Sequence, residues 1–108
     1  MKKSLIYSVA LSILLFSAAA NAEDCVITFK DHKVSPTESI IPAKQQFKII
    51  IKNQDATPIE FESSDLNREI LIGANSEKTL YMREFDAGKY TFFDEFHRDT
   101  ATGVIIVK

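Results

Sequence analysis

The sequence predicts an all-β domain, a sandwich or small barrel of seven or eight short strands, and three observations carry that expectation. Beyond residue 22 no stretch of ten or more residues shows a 3.6-residue apolar repeat. Short runs instead alternate apolar and polar side chains with period two, and turn-forming residues return every eight to twelve positions.

The elements follow in order. Val26 to Phe29 is a first run, broken at Asp31-His32-Lys33 and followed by Val34-Ser35-Pro36. Ser39-Ile40-Ile41 is a second, closed by Pro42. Phe47 to Lys52 sets Phe47, Ile49 and Ile51 on one face and Lys48 and Lys52 on the other, the clearest half-buried strand in the chain. Asn53 to Pro58 is a loop by composition, and Ile59 to Ser63 alternates again, with Glu60 and Glu62 opposite Ile59 and Phe61. Glu69 to Ile72 and Glu77 to Met82 flank the Gly73-Ala74-Asn75-Ser76 turn. Asp86-Ala87-Gly88 leads into Lys89 to Glu95, and Gly103 opens a last strand, Val104 to Lys108. The aromatic set Phe47, Phe61, Phe85, Tyr90, Phe92 and Phe96 reads as core packing.

The first 22 residues differ in composition. Lys2 and Lys3 precede the apolar run Leu5 to Phe16, and small residues end in Ala20-Asn21-Ala22. This is the pattern of a secretory signal cleaved after Ala22, with residues 23–108 as the exported domain and the periplasm of a bacterial envelope as its destination. The apolar run is shorter than the roughly 20 residues that span a bilayer, so no membrane insertion of the mature chain is expected. The 86 residues after the leader hold 11 Lys and Arg against 15 Asp and Glu, a net charge of −4.

Composition also excludes function classes. A chain of 108 residues leaves room for one small domain. Its single cysteine, Cys25, allows neither an internal disulfide nor a cysteine-rich metal cage, so a metal site has to use nitrogen and oxygen donors. No basic stripe suited to nucleic acid is present, and no nucleophile–base pair or phosphate loop is legible.

Tyr90-x-Phe92-x-Asp94-x-x-His97, preceded by Phe85-Asp86-Ala87-Gly88 and followed by Gly103 to Val107, resembles the C-terminal half of the cupredoxins, the blue-copper fold. Asp31 to Pro36, Ile41-Pro42-Ala43, Phe47 to Asn53 and Asp55 resemble that family's first strands. The resemblance covers Val26 to Lys108 and implies a Greek-key β-sandwich. The copper ligands do not all carry over. A blue site joins two His, a Cys thiolate and an axial Met. Here Asp94 stands at the thiolate position, Glu60 at the first histidine, and only His97 matches. Lys44 also stands where the family often has Gly, and Val34 where an aromatic is usual.

Glu60-Phe61-Glu62-Ser63 through Glu69, with Phe92 to His97, is similar to a narrower group. These are the periplasmic cupredoxins encoded with bacterial ferrous-iron permeases, and the cupredoxin domain of elemental ferrous-iron uptake systems. The resemblance implies copper or iron as cofactor, a membrane iron permease as partner, and accessory oxidation of Fe(II) before transport. It puts forward Glu60, Glu62, Asp94, Glu95 and His97 as metal ligands.

Each residue also has a plainer reading. Glu60 and Glu62 share an outward strand face and suit solvent. Asp94 shares its face with Tyr90 and Phe92, where a lone carboxylate is costly. A metal, Arg68, Arg98 or backbone N–H groups could satisfy it. Glu95 falls on the opposite face with Phe93 and His97, and His32 reads as a surface residue with a second metal as its functional alternative. Asp65 to Glu69 reads as a solvated loop or a docking surface. The alternatives at the level of the whole chain are a metal-free sandwich serving an envelope complex, and an electron-transfer cupredoxin, which the missing thiolate disfavours.

Overall fold

The computed structural model describes residues 24–108; the expected leader, residues 1–22, lies outside them. Nine strands form the domain: β1 (Asp24–Lys30), β2 (Lys33–Ser35), β3 (Glu38–Ile41), β4 (Phe47–Asn53), β5 (Ile59–Ser63), β6 (Arg68–Ile72), β7 (Ser76–Met82), β8 (Gly88–Asp94) and β9 (Thr102–Val107). The strand beyond the expected seven or eight is β2, only three residues long and so too short to show an alternation.

The strands make two sheets, ordered β2-β1-β4-β7 and β3-β9-β8-β5-β6. β1 runs parallel to β4 and β3 parallel to β9, while the remaining pairs are antiparallel. The two inner faces meet in one core. β1 contributes Ile27 and Phe29, β4 contributes Ile49 and Ile51, and the facing sheet contributes Ile59, Phe61, Phe92 and Ile105, all essentially without exposure. Burial of each such side chain is worth about 1.5–3 kcal/mol, which matters in a domain with no disulfide.

One end of the sandwich is built around aromatic rings. Phe61 stacks on Phe92 at 5.2 Å, and Phe29 meets both rings edge-on at 6.5 and 6.4 Å. Phe29 pairs with Asn53 and Phe61 pairs with Asp94, so this trio underlies the end where β4 and β8 finish. Cys25 sits five residues back from the far end of β1, about 16 Å of strand from Lys30.

The alternation predicted along β8 stops at Asp94. Glu95–His97 is a single 3-10 turn, with the Asp94 carboxylate accepting the N–H of Phe96 at its start. The turn carries Phe96 outward, 52% exposed, so the expectation that Phe96 packs in the core is corrected. Lys44, at the position where the resemblance expects Gly, holds φ 60°, a conformation that Gly adopts without steric cost.

Candidate metal centre

Asp94 is the one fully buried carboxylate among the described residues, with 0% exposure. The sequence leaves its partner open, and the structure supplies three donors. Oδ1 accepts the backbone N–H of Glu60 and that of Phe96, each at 3.0 Å, and Oδ2 lies 2.8 Å from His97 Nδ1. Neither Arg68 nor Arg98 is among them. Arg68 donates to the Tyr81 carbonyl, and Arg98 pairs with Glu95 at 3.3 Å while lying over the Phe93 ring. The link between Glu60 and the Asp94–His97 pair therefore runs through the Glu60 main chain.

Donation from Nδ1 to Asp94 leaves the lone pair of a neutral His97 imidazole on Nε2, the arrangement common to metal-binding histidines whose other nitrogen is held by a carboxylate. The backbone is fixed as well: the His97 carbonyl accepts from Thr100 and Ala101, and Asp94 N–H donates to the Ala101 carbonyl at 2.9 Å. Asp94 thus acts as a positioning residue for His97. A strand continued through His97 would have placed the two on opposite faces; the 3-10 turn brings them together at a separation of three residues.

Glu60 and Glu62 lie on the outer face of the five-stranded sheet, and Glu95 in the turn after β8 reaches Glu62. Ile59, Phe61 and Ser63 point inward, so Glu60 and Glu62 point out, as period two requires. The antiparallel register sets Glu62 opposite Glu69. Carboxylate oxygens of Glu60, Glu62 and Glu69 all lie within 4.8 Å of one another. Hydrogen bonding to the Glu95 carboxyl, then desolvation and the negative charges of Glu95 and Glu69, push the Glu62 carboxyl up to about 7 from 4.5. Glu62 thus shares a proton-holding contact with Glu95 and faces the charge of Glu69 on the same outer surface.

Glu69 was not among the predicted ligands. The four-residue loop Ser64–Asn67 would have identified it, since closing that hairpin places Glu62 across from Glu69. Ser63 Oγ secures the loop by donating to the Thr91 carbonyl and accepting from Leu66 N–H, and Asp65 accepts both the N–H and the hydroxyl of Thr91.

His32 is the other residue the sequence underrates. It lies in the β1–β2 turn, and its ring stacks on that of His97 with centroids 3.7 Å apart and planes 15° from parallel. Asp55, 10% exposed, accepts the N–H of Asp31 at 2.6 Å and of His32 at 3.2 Å. Asp55 is fixed in turn by Asn53, whose Oδ1 accepts its N–H and whose Nδ2 donates to carbonyls of Thr57, Ile72 and Gly73.

The donor set is nitrogen and oxygen. Cys25 is buried at the opposite end of β1, where burial pushes its thiol up, so it does not supply the thiolate of a blue copper centre. No helix among the described residues is long and apolar enough to cross a membrane.

Comparison with known proteins agrees with the architecture. The sandwich is similar to auracyanin A, a "blue" copper protein from Chloroflexus aurantiacus (TM-score 0.69, 16% identity, 82% of this chain and 100% of that one). It is also similar to the metal-binding domain of the Streptococcus pneumoniae D39 Cu(I)-exporting P-type ATPase CopA with Cu(I) (TM-score 0.70, 15% identity, 82% and 92%). Amicyanin from Paracoccus versutus gives a TM-score of 0.62 at 18% identity over 84% and 87%. In sequence, an uncharacterized protein of Rickettsia prowazekii (strain Madrid E) is 40% identical over 87 residues, 81% of this chain and 70% of that protein. Residues 4–107 match the family described as the cupredoxin-like domain, and the chain belongs to that family.

Proposed function

We propose that this chain is an exported, periplasmic metal-binding protein that holds copper or iron through His97 and the carboxylates around Glu62, in support of bacterial iron uptake. The observation that carries the reading is the carboxylate group itself: Glu60, Glu62 and Glu69 with oxygens within 4.8 Å, joined by Glu95 from the turn that also bears His97. Hard oxygen donors and one imidazole suit Fe(II), Fe(III) and Cu(II), and the absence of a nearby thiolate separates the site from rapid blue-copper electron transfer. Asp94 orients His97. Copper, held there by His97 and the carboxylates, would supply a one-electron acceptor for Fe(II). A membrane iron permease is the partner this role requires, and the leader pattern of residues 1–22 is what supports the periplasmic assignment.

The test is elemental analysis after loading with Cu(II) or iron and exhaustive dialysis, followed by anaerobic mixing of the copper form with Fe(II). The wild-type protein is expected to keep stoichiometric metal, and His97→Ala and Glu60→Ala to keep less. Undiminished metal in both variants overturns the site. A wild-type protein that retains none points to the metal-free interaction module instead.

A further inference from the structure

We propose that His32 is a positioning residue for His97: its imidazole, lying flat on the His97 ring, fixes the plane of that ring and with it the direction in which the open nitrogen Nε2 points. The ion belongs to His97 and the carboxylates, and His32 binds none. The inference rests on the reading that the protein binds metal through His97, and it adds a residue from the other sheet.

The contact is built from both sides. On the His97 side, the hydrogen bond from Nδ1 to the buried Asp94 carboxylate at 2.8 Å fixes one atom of the ring and its tautomer. A single in-plane bond still lets the ring tilt about it, and a contact on the ring face removes that freedom. His32 supplies the face, with centroids 3.7 Å apart and planes 15° from parallel. The observed stack is itself the working geometry, with no movement of either ring.

On the His32 side, the sequence departs from what a tight hairpin ordinarily uses. Asp31 and His32 close the β1–β2 turn with φ 53° and 59°, left-handed at both central positions, where Asn-Gly or Gly-Gly is usual. The Asp55 carboxylate holds that turn by accepting both N–H groups, at 2.6 and 3.2 Å. Buried Asn53 holds Asp55, and the Gln54 N–H ties the same loop to the Phe29 carbonyl at 2.8 Å. His32 Nδ1 is 3.6 Å from Asp55 Oδ2, beyond hydrogen-bond reach, so the loop places His32 through its main chain and leaves the ring to the stack. Burial does not account for the contact, because the His32 side chain is 49% exposed. Its consequence falls on His97, which is then held in plane by Asp94 and across the plane by His32.

The experiment compares the full chain with His32→Asn, chosen because Asn accepts a positive φ and keeps the turn, at about pH 8, above the ordinary imidazole range. Before metal is added, NMR reads the His97 ring. Wild type is expected to show His97 ring protons displaced upfield by the His32 ring current and ring carbons as ordered as the backbone. His32→Asn is expected to lose both while Nδ1 stays protonated against Asp94. With one equivalent of Cu(II), pulsed EPR is expected to count one coordinated imidazole in either protein, and chelator competition to give an affinity roughly tenfold lower in His32→Asn, the low end of what residues that orient a metal ligand command. An unchanged His97 ring in His32→Asn, an unchanged affinity, or two coordinated imidazoles in wild type overturns this inference and leaves the metal-binding reading intact. A wild-type chain that takes up no Cu(II) overturns that reading, and the metal-free spectra then still decide whether His32 fixes His97.

Discussion

Asp94 illustrates how a buried charge is made tolerable: two backbone N–H groups and an imidazole surround it, and no buried side-chain polar atom among the described residues is left without a partner. Removing the acceptor exposes that dependence. Asp94→Ala strands two N–H donors and is expected to cost about 2–4 kcal/mol in urea unfolding, while Asp94→Asn, which keeps an oxygen, costs less. A loss under about 0.5 kcal/mol in Asp94→Ala would contradict the arrangement. Glu62 makes the opposite prediction. Its carboxyl titrates near 7 in the folded chain against 4.5 ordinarily, so the folded state holds a proton that the unfolded state has released between those values. Stability therefore falls as pH rises through that window. Glu62→Gln removes the loss, and its stability relative to wild type is expected to grow from about pH 4 to about pH 8; a difference that stays constant would argue against carboxylate crowding.

At the scale of elements, the sequence discloses what is periodic and conceals what is paired. β4 and β5 were legible because alternation survives in short runs, down to Glu60 and Glu62 facing out. The Glu95–His97 turn was not, since Glu95-Phe96-His97 continues the alternation of β8, and the departure depends on the Asp94 side chain capping the turn. The His32–Asp55 contact follows from the parallel pairing of β1 with β4, and the His32–His97 contact joins residues brought together only when the two sheets close. Packing between β8 and β9 gives another test. A Cβ at Gly103 would overlap Phe92 Cζ and stand 3.0 Å from both Cε atoms of that buried ring. Gly103→Ala is expected to destabilise the domain by about 1–3 kcal/mol, with partial recovery when Phe92 is shortened to Leu. Additive losses in the double variant would show that the two positions do not share this space.

For the molecule as a whole, a cupredoxin-like sandwich stands with Asp94 rather than a cysteine at the end of β8. The all-β class and the order of the strands followed from alternation and turns, and the family resemblance matched the sandwich that the chain forms. The candidate residues were legible in part: they divide into the Asp94–His97 pair and the outward carboxylates, which register brings beside Glu69, while the His32 ring meets His97 only when the sheets close. The lone thiol, buried near the Asp24 end of β1 and away from His97, fixes the spectroscopic consequence. Titration of the full chain with Cu(II), followed by visible absorption and metal analysis after dialysis, tests this most directly. Stoichiometric copper retained without intense blue absorption, and diminished in His97→Ala, is the predicted result. An intense blue thiolate band, or copper retention indifferent to His97, would contradict it.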